Sequence, residues 1–115
     1  MIDKRLLGTW KSDTRRTMKE IRNQRDIKKV RAENLKKMFG KLNLRYTRTR
    51  IYADFKGDKS VVPYQVIAKD DYSVVVKEWD EVFEENRLHH IHFEGKYYWI
   101  WEWLGGFREF FKKID

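Results

Sequence analysis

Residues 87–114 decide the fold: Arg87-Leu88-His89-His90-Ile91-His92-Phe93, then Glu94-Gly95-Lys96, then Tyr97-Tyr98-Trp99-Ile100-Trp101-Glu102-Trp103-Leu104, then Gly105-Gly106, then Phe107-Arg108-Glu109-Phe110-Phe111-Lys112-Lys113-Ile114. Three short runs rich in aromatic and β-branched residues are punctuated by glycine turns, which reads as strands joined by tight hairpins. Short connections force antiparallel neighbours, so the three runs form a meander.

Working outward, the same grammar extends upstream to residue 42. Leu42 to Thr49 and Arg50 to Phe55 read as two strands or one long bent strand. Lys56-Gly57-Asp58-Lys59 is a turn. Ser60 to Lys69 is a strand in which Pro63 marks a bulge or an edge position. Asp70-Asp71 turns the chain into Tyr72 to Trp79, and Asp80 to Asn86 is an acidic loop. Before residue 40 the period changes. Leu6 to Lys11 is a first short strand, and Ser12 or Asp13 can cap the helix that follows. Met18 and Ile21 are its clear apolar pair. Asp26 offers a second cap, after which Ile27, Val30, Leu35, Met38 and Phe39 approximate one helical face that Gly40 terminates. The expectation is a mainly β chain with an N-terminal helical insert. It has a first strand at about 6–11, a helical segment at about 14–39 and a meander at about 42–114. About eight twisted strands in a meander tend to close, because closure removes exposed edges.

Two ends of the chain resemble the calycins, the group of lipocalins and fatty-acid-binding proteins. Gly8-Thr9-Trp10-Lys11 is similar to the Gly-x-Trp of the first barrel strand in that group. Arg108, in Phe107-Arg108-Glu109-Phe110, is similar to the Arg those families place on the last strand. The order of strand, two helices and meander is closer to a fatty-acid-binding protein than to a secreted lipocalin. The chain departs from that pattern in having about eight strands rather than ten, and Phe110 where an Arg-x-Tyr pair would put tyrosine. The resemblance implies one calycin-like domain over residues 1–115, with Trp10 plugging the barrel base, Arg108 packed across it, and a small ligand in the interior.

Composition bounds the rest. The 115 residues contain no cysteine, which excludes disulfides, thiolate metal sites and a cysteine nucleophile. No apolar run approaches the ~18 residues that cross a bilayer, and no signal-peptide core follows Met1, so a cytoplasmic location is expected. Charge is uneven: seventeen Lys/Arg face five Asp/Glu in residues 1–50, a balance of +12, against −4 in residues 51–115.

For function, Tyr97, Trp99, Trp101 and Trp103 share one strand face, and Tyr98, Ile100 and Glu102 the other. An inward row of aromatics would line a pocket; the other reading is a core or a dimer face. Tyr46, Arg48, Arg50 and Tyr52 share a face if their strand is regular, and an inward Arg48 or Arg50 could join Arg108 in holding a carboxylate or phosphate. Ligand candidates are therefore Arg48, Arg50, Tyr64, Trp99, Trp101, Trp103 and Arg108. His90 and His92 share a strand face at a spacing that suits two metal-bound imidazoles, with no third ligand marked. No phosphate loop, nucleophile elbow or His-Glu-x-x-His helix is present, no catalytic group is nominated and no cofactor is implied. The leading expectation is a non-enzymatic protein that holds an amphipathic or anionic small molecule in a barrel. One alternative is a nucleic-acid-binding module using the basic half; another is an interaction protein that dimerises through the aromatic strand.

Overall fold

The computed structural model describes residues 1–24, 28–37, 39–102 and 106–115, with backbone alone at 30 and 102. The second cap at Asp26, the helix-face residues Ile27 and Met38, and Trp103 and Leu104 of the aromatic strand lie outside the described residues. So does the side chain of Val30.

Eight strands follow one another around a closed antiparallel barrel: β1 (Gly8–Ser12), β2 (Leu42–Tyr46), β3 (Arg50–Phe55), β4 (Asp58–Lys69), β5 (Ser73–Asp80), β6 (Glu85–Glu94), β7 (Tyr97–Glu102) and β8 (Phe107–Lys113). Two helices, α1 (Thr14–Arg22) and α2 (Lys29–Lys36), lie between β1 and β2. The seam is made by β1 and β8, which pair Trp10 with Lys113 and Ser12 with Phe111. The expected mainly β class, helical insert and closed meander are all present.

Alternation builds the core. Trp10, Tyr46, Ile51, Tyr64, Val66, Val74, Val76, Ile91, Tyr98 and Phe111 fill one cluster inside the wall, each at the inward phase of its strand. Pro63 sits where β4 changes partner: its ladder with β3 ends at Arg50↔Pro63 and that with β5 starts at Tyr64↔Glu78. That is an edge-like place, where a missing N–H is tolerated. The register shift in β4 falls later, between Val66 and Ala68.

The barrel base is plugged by the N-terminal segment. Leu6 is fully buried, and the Trp10 indole donates Nε1–H to its carbonyl at 2.9 Å. Phe93 and Tyr98 flank the Trp10 ring at 6.4 and 4.7 Å. Arg5 donates to the Asp3 carboxylate at 2.6 and 3.0 Å, reaches the carbonyls of Asp70 and Asp71 at 2.9 Å, and covers the Phe93 ring. Gly8 makes this corner possible. Its φ is +116°, and a Cβ there would stand 2.7 Å from Asp115 Oδ1, the atom that accepts from Thr9 N–H.

α1 begins at Asp13, whose Oδ1 accepts from Arg16 N–H at 2.8 Å. Lys19 and Arg22 lie in its last turn, where positive charge complements the helix dipole. Its apolar face lies on β8: the Phe110 amide donates to Thr17 Oγ1 at 3.0 Å. Met18 and Ile21 pack with Phe39 and Phe107, with Ala32 and Leu35 of α2 against them. Gly40 follows α2 by several residues rather than directly terminating it. It is held at φ +80° beside Thr14, whose Oγ1 would lie 2.3 Å from an added Cβ.

Arg5 holds the Asp3 carboxyl below the usual carboxylate range through its side-chain hydrogen bonds, against the opposing effect of burial. A depressed folded-state value means stability that is complete above the unfolded value near 4 and is lost as pH falls towards the folded one. Asp3→Asn is expected to cost about 1–2 kcal/mol at pH 7 in denaturant melts, with the gap from wild type closing below about pH 4. A gap that stays constant from pH 7 to 3 would show that the carboxylate charge contributes nothing.

Candidate functional site

Above the plugged base the barrel interior is not solid. A chamber of about 310 Å³ is walled by Leu42, Leu44, Ile51, Val62, Ile91 and Ile100. That volume is at the low end for small-molecule sites. Tyr46 and Tyr98 also line it, with their hydroxyls 2.9 Å apart. Burial pushes both phenols well above the ordinary tyrosine range, so both stay protonated. Two protons share one mutual hydrogen bond, which leaves one O–H to donate elsewhere.

The polar rim comes from how the strands part company. β5 and β6 stay paired out to Asp80↔Glu85, but β4 pairs with β5 only as far as Tyr64↔Glu78, and β6 pairs with β7 only from His92↔Trp99 to Glu94↔Tyr97. Only the tip of the β5–β6 hairpin, where Trp79 and Asp80 pair with Asn86 and Glu85, therefore stands free of both neighbouring strands in the ladder. Just below that tip Glu78 and His89 face the chamber, joined at 3.0 Å between Oε1 and Nε2, and Glu109 of β8 lines it from the other side. At the hairpin's outer part Arg87 pairs with Asp80 at 2.7 Å, and Val82, Phe83 and Leu88 are exposed.

The residues expected to bind ligand are divided by the wall. Tyr64 is inside, 4% exposed, with its hydroxyl on the Thr47 carbonyl and its ring edge-on to Tyr46. Trp99 and Trp101 are outside, because Tyr98 and Ile100 take the inward phase of β7. Trp99 stacks on His92 at 3.9 Å and 9° and carries the Arg108 guanidinium over its ring at 5.0 Å, while Trp101 is 56% exposed. Arg108 is outside with them and is committed to α1: Nε and Nη2 donate to the two Glu20 oxygens at 2.7 and 2.8 Å. This contact lowers the Glu20 carboxyl below its usual range. Arg48 and Arg50 are exposed at the β2–β3 turn. That turn, in which Thr47 Oγ1 accepts from Arg50 N–H at 3.1 Å, breaks the strand and sends Tyr46 inward and Tyr52 outward. An anion-binding trio of arginines facing the interior is therefore not assembled.

The cation across Trp10 is Lys113, its Nζ 5.2 Å from the ring and hydrogen-bonded to the Leu7 carbonyl. It takes the place that the calycin resemblance assigned to Arg108. Its directly opposite register to Trp10 is what selects it, and residue type alone gave no sign of that. Glu78, His89 and Glu109 were likewise unmarked; the phase of β5 relative to Val74 and Val76 would have put Glu78 inside.

His90 and His92 lie side by side on the outer wall, their rings 4.0 Å apart and tilted by 35°, with His90 Nε2 on Ser73 Oγ at 2.8 Å. Burial, and then the charge of His90, hold the His92 imidazole below its usual range. Among the described residues no group of three potential metal ligands gathers there or elsewhere. No described helix is long and apolar enough to cross a membrane.

Compared with known protein families, curated proteins and solved structures, the chain matches none. The likeness to calycins therefore stands on architecture: an eight-stranded closed antiparallel meander with a tryptophan at its base.

Removing one hydroxyl of the buried pair strands the other. Tyr46→Phe and Tyr98→Phe are each expected to cost about 1–2 kcal/mol, and the double variant clearly less than their sum, in a denaturant double-mutant cycle. Additive losses would mean the two hydroxyls do not bond to each other in solution.

Proposed function

We propose that this protein is a small-molecule binding protein, a single calycin-like domain over residues 1–115 that holds an amphipathic ligand in the barrel interior. The observation that carries the reading is the chamber of about 310 Å³, with aliphatic walls, a paired-tyrosine floor and a rim bearing Glu78, His89 and Glu109. Apolar walls with a few convergent polar groups are the usual composition of a ligand site. The spare hydroxyl proton of the tyrosine pair would orient an acceptor atom deep in the chamber.

The rim argues for the sign of the ligand. Two carboxylates and one imidazole face the opening, whereas Arg48, Arg50 and Arg108 lie outside the wall. A carboxylate ligand would bring a like charge beside Glu78 and Glu109 in a partly desolvated place. A neutral or cationic head group fits better, so the ligand is an amphiphile with an alcohol or amine end rather than an anion.

Displacement of a neutral solvatochromic dye by a medium-chain primary amine, the matching alcohol and the matching fatty acid tests this. The amine and alcohol are expected to displace it saturably, with the acid about tenfold weaker, near 1.4 kcal/mol. Glu78→Gln removes the advantage of the amine over the alcohol, and Ile100→Trp, which fills the chamber, blocks all three. Displacement by none of them, or by the acid as tightly as the amine, would overturn the reading.

A further inference from the structure

On the outside of the barrel, away from the chamber mouth, α1 and the β7–β8 ladder enclose a groove of about 500 Å³. Its helical wall carries Arg15, Lys19 and Arg22, spaced i, i+4 and i+7 along one face over about 10 Å. Its sheet wall carries Tyr97 and Lys112, which are directly opposite each other in the ladder. Arg16 lies between the walls, its guanidinium 4.3 Å over the Phe110 ring and 3.5 Å from Glu94. Among the described residues lining the groove the one acid, Asp13, is occupied in capping α1.

Among the described residues, Arg15, Lys19, Arg22 and Lys112 make no ion pair. Four exposed cations around one concavity repel each other, and a polyanion laid along them relieves that repulsion while releasing its own counterions. Tyr97 supplies the other half of the chemistry. Its ring is held edge-on to Phe110 at 6.3 Å and 85°, and it stands beside a cation in a basic trough. Positive charge along a groove together with a fixed aromatic ring is what single-stranded nucleic acid uses, through its phosphates and its bases. A free phosphate is too small to touch cations spread over both walls. An anionic bilayer needs an exposed apolar wedge beside the charge, and the groove's one apolar ring, Tyr97, is half-buried.

From this we infer that the α1–β7–β8 groove is a binding site for single-stranded nucleic acid. Arg15, Lys19, Arg22 and Lys112 contact phosphates, and Tyr97 stacks a base. The site is separate from the chamber and does not depend on it.

Fluorescence anisotropy of a labelled mixed-sequence RNA of about twelve nucleotides, titrated with the full chain at about 50 and 200 mM salt, tests the inference. Wild type is expected to bind saturably at low salt and to weaken steeply at high salt. The triple Arg15→Glu, Lys19→Glu, Arg22→Glu should lose at least about tenfold, with the log–log salt slope reduced by about 2. The triple Arg48→Glu, Arg50→Glu, Lys59→Glu has the same net charge change at a distance and should lose less than about threefold. Tyr97→Phe should bind as wild type does, and Tyr97→Leu about fivefold more weakly. If circular dichroism shows the first triple unfolded, the Gln triple at the same positions must give the same ranking. No binding at low salt, equal loss in the groove and distal triples, or tighter binding to phosphatidylserine–phosphatidylcholine vesicles than to RNA would each overturn it.

Discussion

Everything in this molecule hangs on the corner where the first and last strands meet under Trp10. That indole packs against Tyr98 and Phe93, donates to the Leu6 carbonyl, and carries Lys113 of the opposite strand on its face. These contacts tie the first ten residues to positions 93, 98 and 113, more than eighty residues further along the chain, an ordering that costs loop-closure entropy. The return is a barrel with no edge strand at the seam and a sealed base, so that any interior space must open at the far end. The chamber exists because the base is filled by large side chains while the far half is lined by smaller aliphatic ones.

The hairpin β5–β6 is the complement of that corner. It keeps its own ladder beyond the point where β4 and β7 leave it, so its tip, Trp79↔Asn86 and Asp80↔Glu85, has no ladder partner on either flank. Towards that tip polar side chains replace aliphatic ones in the inward phase: Glu78 follows Val74 and Val76, and His89 precedes Ile91. One wall thereby changes from core to rim within a few residues. Across the barrel the β7–β8 wall separates two chemistries, the chamber lined by Ile100 and Glu109 inside and the arginine- and lysine-lined groove bordered by Tyr97 and Lys112 outside against α1.

Much of the architecture was legible because each local signal had one physical meaning. Glycine-centred turns marked hairpins, Ser12 or Asp13 marked the start of α1, and Gly8-Thr9-Trp10 identified the corner. The choice of face on β7 was not legible, because both phases are apolar. Alternation alone separates Tyr97, Trp99 and Trp101 from Tyr98 and Ile100 without saying which set is inside. Interior volume decides it: with Trp10, Tyr46, Tyr64 and Phe111 already enclosed, an eight-stranded barrel has no space for a row of indoles. Outside, Trp99 is covered instead by His92 and Arg108. The arginines misled for a related reason. The Thr47–Arg50 turn flips the phase between Tyr46 and Tyr52, and a turn built on a threonine hydroxyl carries no glycine or proline to announce it. Arg108 matched the residue type that the calycin resemblance places on the last strand, but strand register put Lys113 opposite Trp10.

The central claim is closure between β1 and β8, since chamber, base and outer groove all follow from it. Nuclear Overhauser contacts and amide exchange across that seam measure it most directly. The account predicts cross-strand contacts linking Trp10, Lys11 and Ser12 with Lys113, Lys112 and Phe111, and ladder amides on both strands protected as well as those between β5 and β6. Absence of those contacts, with the amides of β1 and β8 exchanging as free edges do, would contradict it.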